Sequence, residues 1–241
     1  MNLVPRFPPL LHGLATGPTN PFTVACDQAK EGVDAGLLTW SVGFDRMRAA
    51  LVLAPETALE VAMIGYGATA VALQNALGVL VPPETAVHLQ WDGGLRLNGG
   101  SSGKFYFAAS TSDPKAVPDW LVIGLELHLE LPMDYDPAKT PDLTALYAEG
   151  CGHIDPIELL ESWARHSILW INESETAAGR ANVHREFAGL LWKKGEQVSI
   201  PFQGQTITGT LMGLDENFGA LIKTEQGQTH LISLTTLVKE V

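Results

Sequence analysis

The residues best suited to chemistry fall in a few short stretches. Arg46 closes the turn Gly43-Phe44-Asp45-Arg46 and Arg48 follows it, and Lys104 follows Ser102-Gly103 at the start of an apolar run. Cations in such places either reach into solvent or supply positive charge where an anionic ligand concentrates its own. Gln90-Trp91-Asp92 joins an uncharged amide that can donate a hydrogen bond, an indole and a carboxylate. Trp91 suits plain core packing as well as a pocket wall, and Asp92 suits a turn that it caps with its own side chain. Thr19 and Asn20 could hydrogen-bond the polar head of a small ligand, although helix capping alone accounts for Asn20. Gly93-Gly94 and Gly99-Gly100 leave room for a ligand against the backbone, but hairpin turns need glycine equally.

Other constellations lead nowhere. The seven histidines show no metal-ligand spacing. Gly99-Gly100-Ser101-Ser102-Gly103 only loosely approximates a nucleophile elbow. Cys151, between glycines, has no orienting third group nearby in sequence that would make it a nucleophile. Asn172-Glu173-Ser174 fits the glycosylation pattern but has meaning only in a secreted protein.

Composition narrows the class. At 241 residues, 46% hydrophobic and 17% charged, the chain suits a globular protein with a substantial core. Fifteen Lys and Arg against 27 Asp and Glu give a formal net charge of −12, so nucleic acid is excluded as an expected partner. Met1 to Leu11 lacks a signal-peptide pattern, and no membrane-spanning run is expected. With Cys26 and Cys151 as the only cysteines, neither a disulfide framework nor a zinc site is expected, and the cytoplasm is the expected compartment.

The elements that must position these residues can be read from periodicity. The proline-rich stretch from Met1 to Pro21 predicts irregular chain. Asn20 as cap and Pro21 at the first helical position predict a helix ending near Gly32. Two apolar runs, 36–41 and 49–54, predict a strand pair. Leu59, Met63, Tyr66, Ala70, Leu73, Leu77 and Leu80 recur at helical spacing, and Pro82-Pro83 should end that helix. Strands are predicted at 86–90, 95–98, 104–109 and 120–131. Asp155-Pro156-Ile157-Glu158 resembles a capping box, with Ile157, Leu160, Ala164, Ile168 and Ile171 as the inner stripe of the helix it opens. A further helix is predicted over 176–192. Short strands at 197–201, 206–214, 219–223 and 230–234, with a turn at Gln203-Gly204, predict a small β-barrel. The class is α+β, with a main domain over 1–192 and a small C-terminal domain over 193–241.

This order of elements resembles the biotin/lipoate–protein ligase family, particularly biotin–protein ligases with a C-terminal barrel. Thr19-Asn20 stands where that family has Ser-Thr-Asn. Leu89-Gln90-Trp91-Asp92-Gly93-Gly94, followed by Asn98-Gly99, resembles its Lys-Trp-Pro-Asn-Asp, strand and Asn-Gly turn. Ser102-Gly103 matches its Ala-Gly, and Val122-Ile123-Gly124-Leu125-Glu126-Leu127-His128 resembles its Val-Ile-Gly-Ile-Gly-Ile-Asn strand. Gly209–Asp215 followed by Gly219-Ala220-Leu221 resembles the barrel of that family.

The resemblance implies a mixed sheet of the class II synthetase and biotin-ligase type with helices. It also implies biotin or lipoate with ATP as ligands, and a biotinyl or lipoyl carrier protein as partner. Such ligases activate a vitamin carboxylate to an acyl-adenylate and pass it to a carrier lysine. Carried over residue by residue, it marks Thr19, Asn20, Gln90, Trp91, Asp92, Ser102, Gly103 and Gly124 as binding residues; Arg46 and Lys104 join them as nearby cations that could substitute for those of the family, and no catalytic residue is identified. Two departures stand out. The Gly-Arg-Gly-Arg loop of the family is missing between the first strand pair, and Gln90 replaces its lysine. Joining two anions demands cations, so the expectation is a ligase-like protein with impaired catalysis that still binds a small carboxylate or acyl-adenylate-like ligand. The alternatives are an active acyl-protein ligase relying on Arg46, Arg48 or Lys104, and a non-enzymatic interaction module. The DNA-binding N-terminal domain of some family members has no expected counterpart.

Overall fold

A computed structural model describes residues 4–82, 84–202 and 204–240. The expected helix stop at Pro83 and the turn residue Gln203 lie outside these residues. Seven strands form the main sheet in the order β1-β2-β3-β7-β6-β5-β4. They are β1 (His12–Ala15), β2 (Leu37–Val42), β3 (Arg46–Leu53), β4 (Val87–Leu89), β5 (Gly94–Leu97), β6 (Gly100–Ala109) and β7 (Leu121–His128). The sheet is mixed: β1 runs parallel to β2, the others pair antiparallel, and β12 (Lys239–Glu240) joins the far end of β6 in parallel. β1 and β12 correct the expectation of irregular chain at the N-terminus and extend the expected set at the C-terminus. Both are short and depend on distant partners for their hydrogen bonds.

One face of this sheet is apolar throughout. Met47, Ala49 and Leu51 on β3, Leu125 and Leu127 on β7, and Phe105 and Phe107 on β6 are buried in the main core. They meet α3 (Ile64–Leu80), which packs against α4 (Pro156–Glu173) and α5 (Ala177–Gly189). The expected long helix is divided at Met63, with a short α2 (Leu59–Ala62) preceding α3. Leu59–Leu80 is long and apolar enough by composition to cross a membrane, at mean hydropathy 1.3, which corrects the expectation that no such run exists; 67% of that window is buried inside the fold. The α4 cap forms as expected, Asp155 accepting from the Ile157 amide at 2.8 Å. The buried stripe of α4 is shifted, however. Leu159, Leu160, Trp163 and Ala164 are buried, whereas Ile157, Ile168 and Ile171 are half-buried. Trp163 anchors this layer by donating to the Thr69 carbonyl at 2.9 Å.

Among the described residues, the opposite face is covered by one helix, α1 (Pro21–Lys30), at one end. Ala25, Cys26 and Ala29 pack there against Ala50, Val52, Val122 and Ala108. Asn20 caps α1 through its side-chain oxygen, which accepts from the Phe22 amide at 2.9 Å. Strand alternation then dictates what lies beyond the start of α1: Arg46 and Arg48 of β3, Glu126 and His128 of β7, and Lys104 of β6 share that uncovered face.

The C-terminal strands β8 (Gln197–Phe202), β9 (Gln205–Leu214), β10 (Ala220–Lys223) and β11 (Thr229–Ile232) form an antiparallel sheet ordered β11-β10-β9-β8. Among the described residues it stays open, which corrects the expected barrel: β8 and β11 remain edges instead of pairing. The sheet shares the main core through Leu211, Phe218, Ala220, Ile222 and Ile232. The connection is fixed by Leu89, whose amide donates to Leu190 and whose carbonyl accepts from Trp192, and Arg96 stacks 5.2 Å over the Trp192 ring.

Candidate functional site

The uncovered sheet face holds a line of polar side chains fixed by strand register. Ser41, Arg48, Glu126, Lys104 and Gly94 lie opposite one another across β2, β3, β7, β6 and β5. At one end is a cleft of about 430 Å³, lined by Gly17, Pro18, Ser41, Asp45, Arg46 and Arg48. At the other is a smaller one of about 130 Å³, lined by Gln90, Trp91, Asp92, Lys193, Ser199 and Leu211.

Arg46 and Arg48 stand on a strand instead of in a solvated turn, and both are engaged. Arg46 Nε donates to Asp45 at 2.8 Å and its Nη1 to Glu126 Oε1 at 3.2 Å, while Arg48 Nε donates to Glu126 Oε2 at 2.5 Å. His128 Nε2 is 3.6 Å from Glu126 Oε1. The nearby His128 ring, with the hydrogen bond and charge of Arg48 and the charge of Arg46 beside it, outweighs partial burial and holds the Glu126 carboxyl down at about 2. Glu126 therefore stays ionised at any physiological pH. Burial, and then the Glu126 charge, pushes the neighbouring Tyr106 phenol up, so it remains neutral.

The other predicted residues divide into two groups. Lys104 Nζ lies 3.8 Å from Asp92 Oδ2, both side chains being about half exposed. Asp92 also accepts from the Gly94 amide at 3.3 Å, as a turn-capping Asp does. The Gln90 side chain lies over Gly94, where an added Cβ would run into its amide, so Gln90, Asp92 and Lys104 come together. Arg46 lies in the larger cleft, and Thr19 and Asn20 are exposed at its border, where Thr19 stabilises the loop through its backbone. Trp91 is 5% exposed and donates to the Phe218 carbonyl at 2.8 Å, so its polar atom serves the packing between the two sheets. Ser102 is fully buried, its hydroxyl 3.4 Å from the Leu95 carbonyl. Gly103 lets β6 approach β7, since a Cβ there would collide with the Glu126 carbonyl. Gly124 leaves space on the sheet face that the Phe22 ring fills; an added Cβ would sit 2.5 Å from that ring.

Sequence reasoning missed Asp45, Ser41, Phe22, Tyr106 and Lys193. A signal existed for part of this: Arg46-x-Arg48 and Glu126-x-His128 alternate with the strand period, which places each pair on one face. Nothing in the sequence reveals that the two strands are neighbours.

The arrangement is charge-balanced. Three cations, Arg46, Arg48 and Lys104, meet three carboxylates, Asp45, Glu126 and Asp92. Guanidinium N–H groups not used by the carboxylates remain as hydrogen-bond donors. In the larger cleft the charges of Arg46 and Arg48 are offset by Asp45 and Glu126, so that cleft does not fit an ATP triphosphate, while Lys193 at the smaller cleft makes no ion pair among the described residues. No cluster of three or more metal-ligating side chains occurs among the described residues. Cys151 is buried, and burial raises its thiol pKa, which leaves it a poor nucleophile.

The architecture is a mixed sheet with α3, α4 and α5 on one face, α1 on part of the other, and a cleft beside α1. The sequence model of the biotin/lipoate A/B protein ligase family matches residues 7–189, and the chain belongs to that family. A biotin–[acetyl-CoA-carboxylase] ligase of Paracoccus denitrificans is 26% identical over 187 residues, covering 76% of this chain and 75% of that one. The crystal structure of a biotin protein ligase-like protein of unknown function from Silicibacter sp. is 48% identical, covers 98% of this chain and 100% of its own, and superposes with a TM-score of 0.90. A biotin complex of a biotin protein ligase variant from Aquifex aeolicus has the same fold at 18% identity and a TM-score of 0.71, covering 93% and 96% of the two chains.

Proposed function

We propose that this protein is a ligase-like binder of a small carboxylate or acyl-adenylate-like ligand in which ATP-dependent activation is impaired. The observation carrying this reading is the pairing of Arg46 and Arg48 with Glu126 and Asp45. Adenylation brings a carboxylate against a phosphate, and preorganised positive charge is the usual means of lowering that barrier. Here the positive charge is already neutralised, and the Gln90 amide contributes none. A singly charged acid group needs less, and unpaired guanidinium N–H groups beside Ser41 suffice for it. Biotin and lipoate are the first candidates, because the family handles both. A biotinyl or lipoyl carrier protein is the matching partner, and the Paracoccus relative bears the name of a ligase acting on acetyl-CoA carboxylase. Residues 1–192 would supply the ligand face and 193–241 the wall of the smaller cleft. The two buried free thiols, Cys26 and Cys151, suit a reducing compartment such as the cytoplasm.

Calorimetry with biotin, lipoate and their acyl-adenylates tests the binding. Saturable uptake of at least one is expected, and no uptake of any contradicts the reading. A second reading, an active acyl-protein ligase, is favoured by the fact that Arg46, Arg48 and Lys104 share one sheet face. Acyl transfer to a carrier domain that stops when Arg48 or Lys104 is replaced by alanine would favour it over the first.

A further inference from the structure

Glu126 stands where the sheet would otherwise leave Arg48 without a counter-ion and Arg46 with Asp45 alone. Its side chain is 15% exposed, and its oxygens are divided between Arg48 on one side and Arg46 and His128 on the other. The remaining charged or titratable groups facing it are Lys104, opposite on β6, Tyr106 one pair further along, and Asp45, which holds Arg46 Nε. Of the ten N–H donors on the two arginines, the three on Arg46 Nε, Arg46 Nη1 and Arg48 Nε are hydrogen-bonded to these carboxylates. The cleft therefore retains hydrogen-bonding capacity but lacks net positive charge.

Ligands respond to that difference according to their charge. A single carboxylate is satisfied by two or three donors in fork geometry. A polyphosphate brings several charges close together and is repelled by a fixed anion unless cations exceed anions locally. Glu126 cannot relieve the repulsion by taking up a proton near neutral pH, because its neighbours hold it ionised.

We propose that Glu126 is the specificity-determining residue of this cleft, a built-in counter-ion that admits a singly charged acid group and excludes polyphosphates. This deepens the reading above and rests on it, naming the ligand charge class and the residue that enforces it.

The test uses inorganic pyrophosphate as the probe and acetate as the reference, with the full chain and its Glu126→Gln variant, by calorimetry at low salt. The variant should bind pyrophosphate roughly tenfold or more tightly than the wild type, with a smaller gain for acetate. An equal gain for both anions, or no gain for pyrophosphate, overturns the proposal. Should the variant fold poorly, the arginine Nε–H resonances of the unmodified protein provide the second readout. Those of Arg46 and Arg48 should move on titration with acetate before they move with pyrophosphate, and the reverse order overturns the proposal. Failure of the wild type to bind biotin, lipoate or their adenylates would sink the underlying reading without touching the pyrophosphate comparison, so the two outcomes are distinguishable.

Discussion

The two faces of the main sheet use the same strands for opposite purposes. On β3 and β7, Met47, Ala49, Leu51, Leu125 and Leu127 point into the core, and the residues between them include Arg46, Arg48, Glu126 and His128. The first set gains stability simply by leaving water, at about 25 cal/mol per Å² of apolar surface. The second set must be paired, because a half-buried charge without a partner costs more than its packing returns. The apolar face can thus be built from many interchangeable residues, whereas the charged face depends on a few particular pairings. Those pairings also decide what the cleft can bind.

Substitutions can break this contrast to different degrees. Trp163→Ala removes a fully buried indole and its bond to Thr69, and should cost about 3–5 kcal/mol in denaturant unfolding. It should leave ligand affinity of the folded protein unchanged. Gly103→Ala forces a methyl group toward the Glu126 carbonyl where two strands meet, and about 2–3 kcal/mol is expected. Unlike Trp163→Ala, it should also disturb anion binding, since it displaces the strand that carries Glu126.

Glu126→Gln should cost about 1–3 kcal/mol at neutral pH, because partly buried Arg48 loses its counter-ion and Arg46 keeps only Asp45. The folded-state pKa of Glu126, about 2, lies below its ordinary value of 4.5. Its contribution is therefore complete above about 4.5 and is lost as pH falls toward 2. The stability gap between wild type and variant should close across that window; a gap independent of pH would contradict the pairing. Lys104→Ala should have the smallest effect, under about 1 kcal/mol, since its partner Asp92 is 3.8 Å away and both are well solvated.

The sequence disclosed those parts of the fold that depend on local pattern. Asn20-Pro21 and Asp155-Pro156 formed their caps, and the turn at 43–46 joined its two strands. What depends on distant chain was not legible. β1 forms because residues 37–40 offer it a parallel edge, and β12 because β6 extends past β5. The break at Met63 coincides with two backbone bonds that tie α2 to 114 and 116, far along the chain. Site residues followed the same rule. Each charged side chain could be named, but the neutralisation of Arg46 and Arg48 by Glu126 required knowing that β3 lies beside β7. Trp91 illustrates the converse: a residue marked for the pocket uses its polar atom to join two sheets.

ATP–pyrophosphate exchange, measured with saturating biotin, lipoate or octanoate, bears most directly on the balance of charge in the cleft. Exchange at the background rate with all three acids is the predicted result. Robust exchange with any one of them, lost when Arg48 is changed to alanine, would show that the arginines remain free to serve phosphate and would contradict the account.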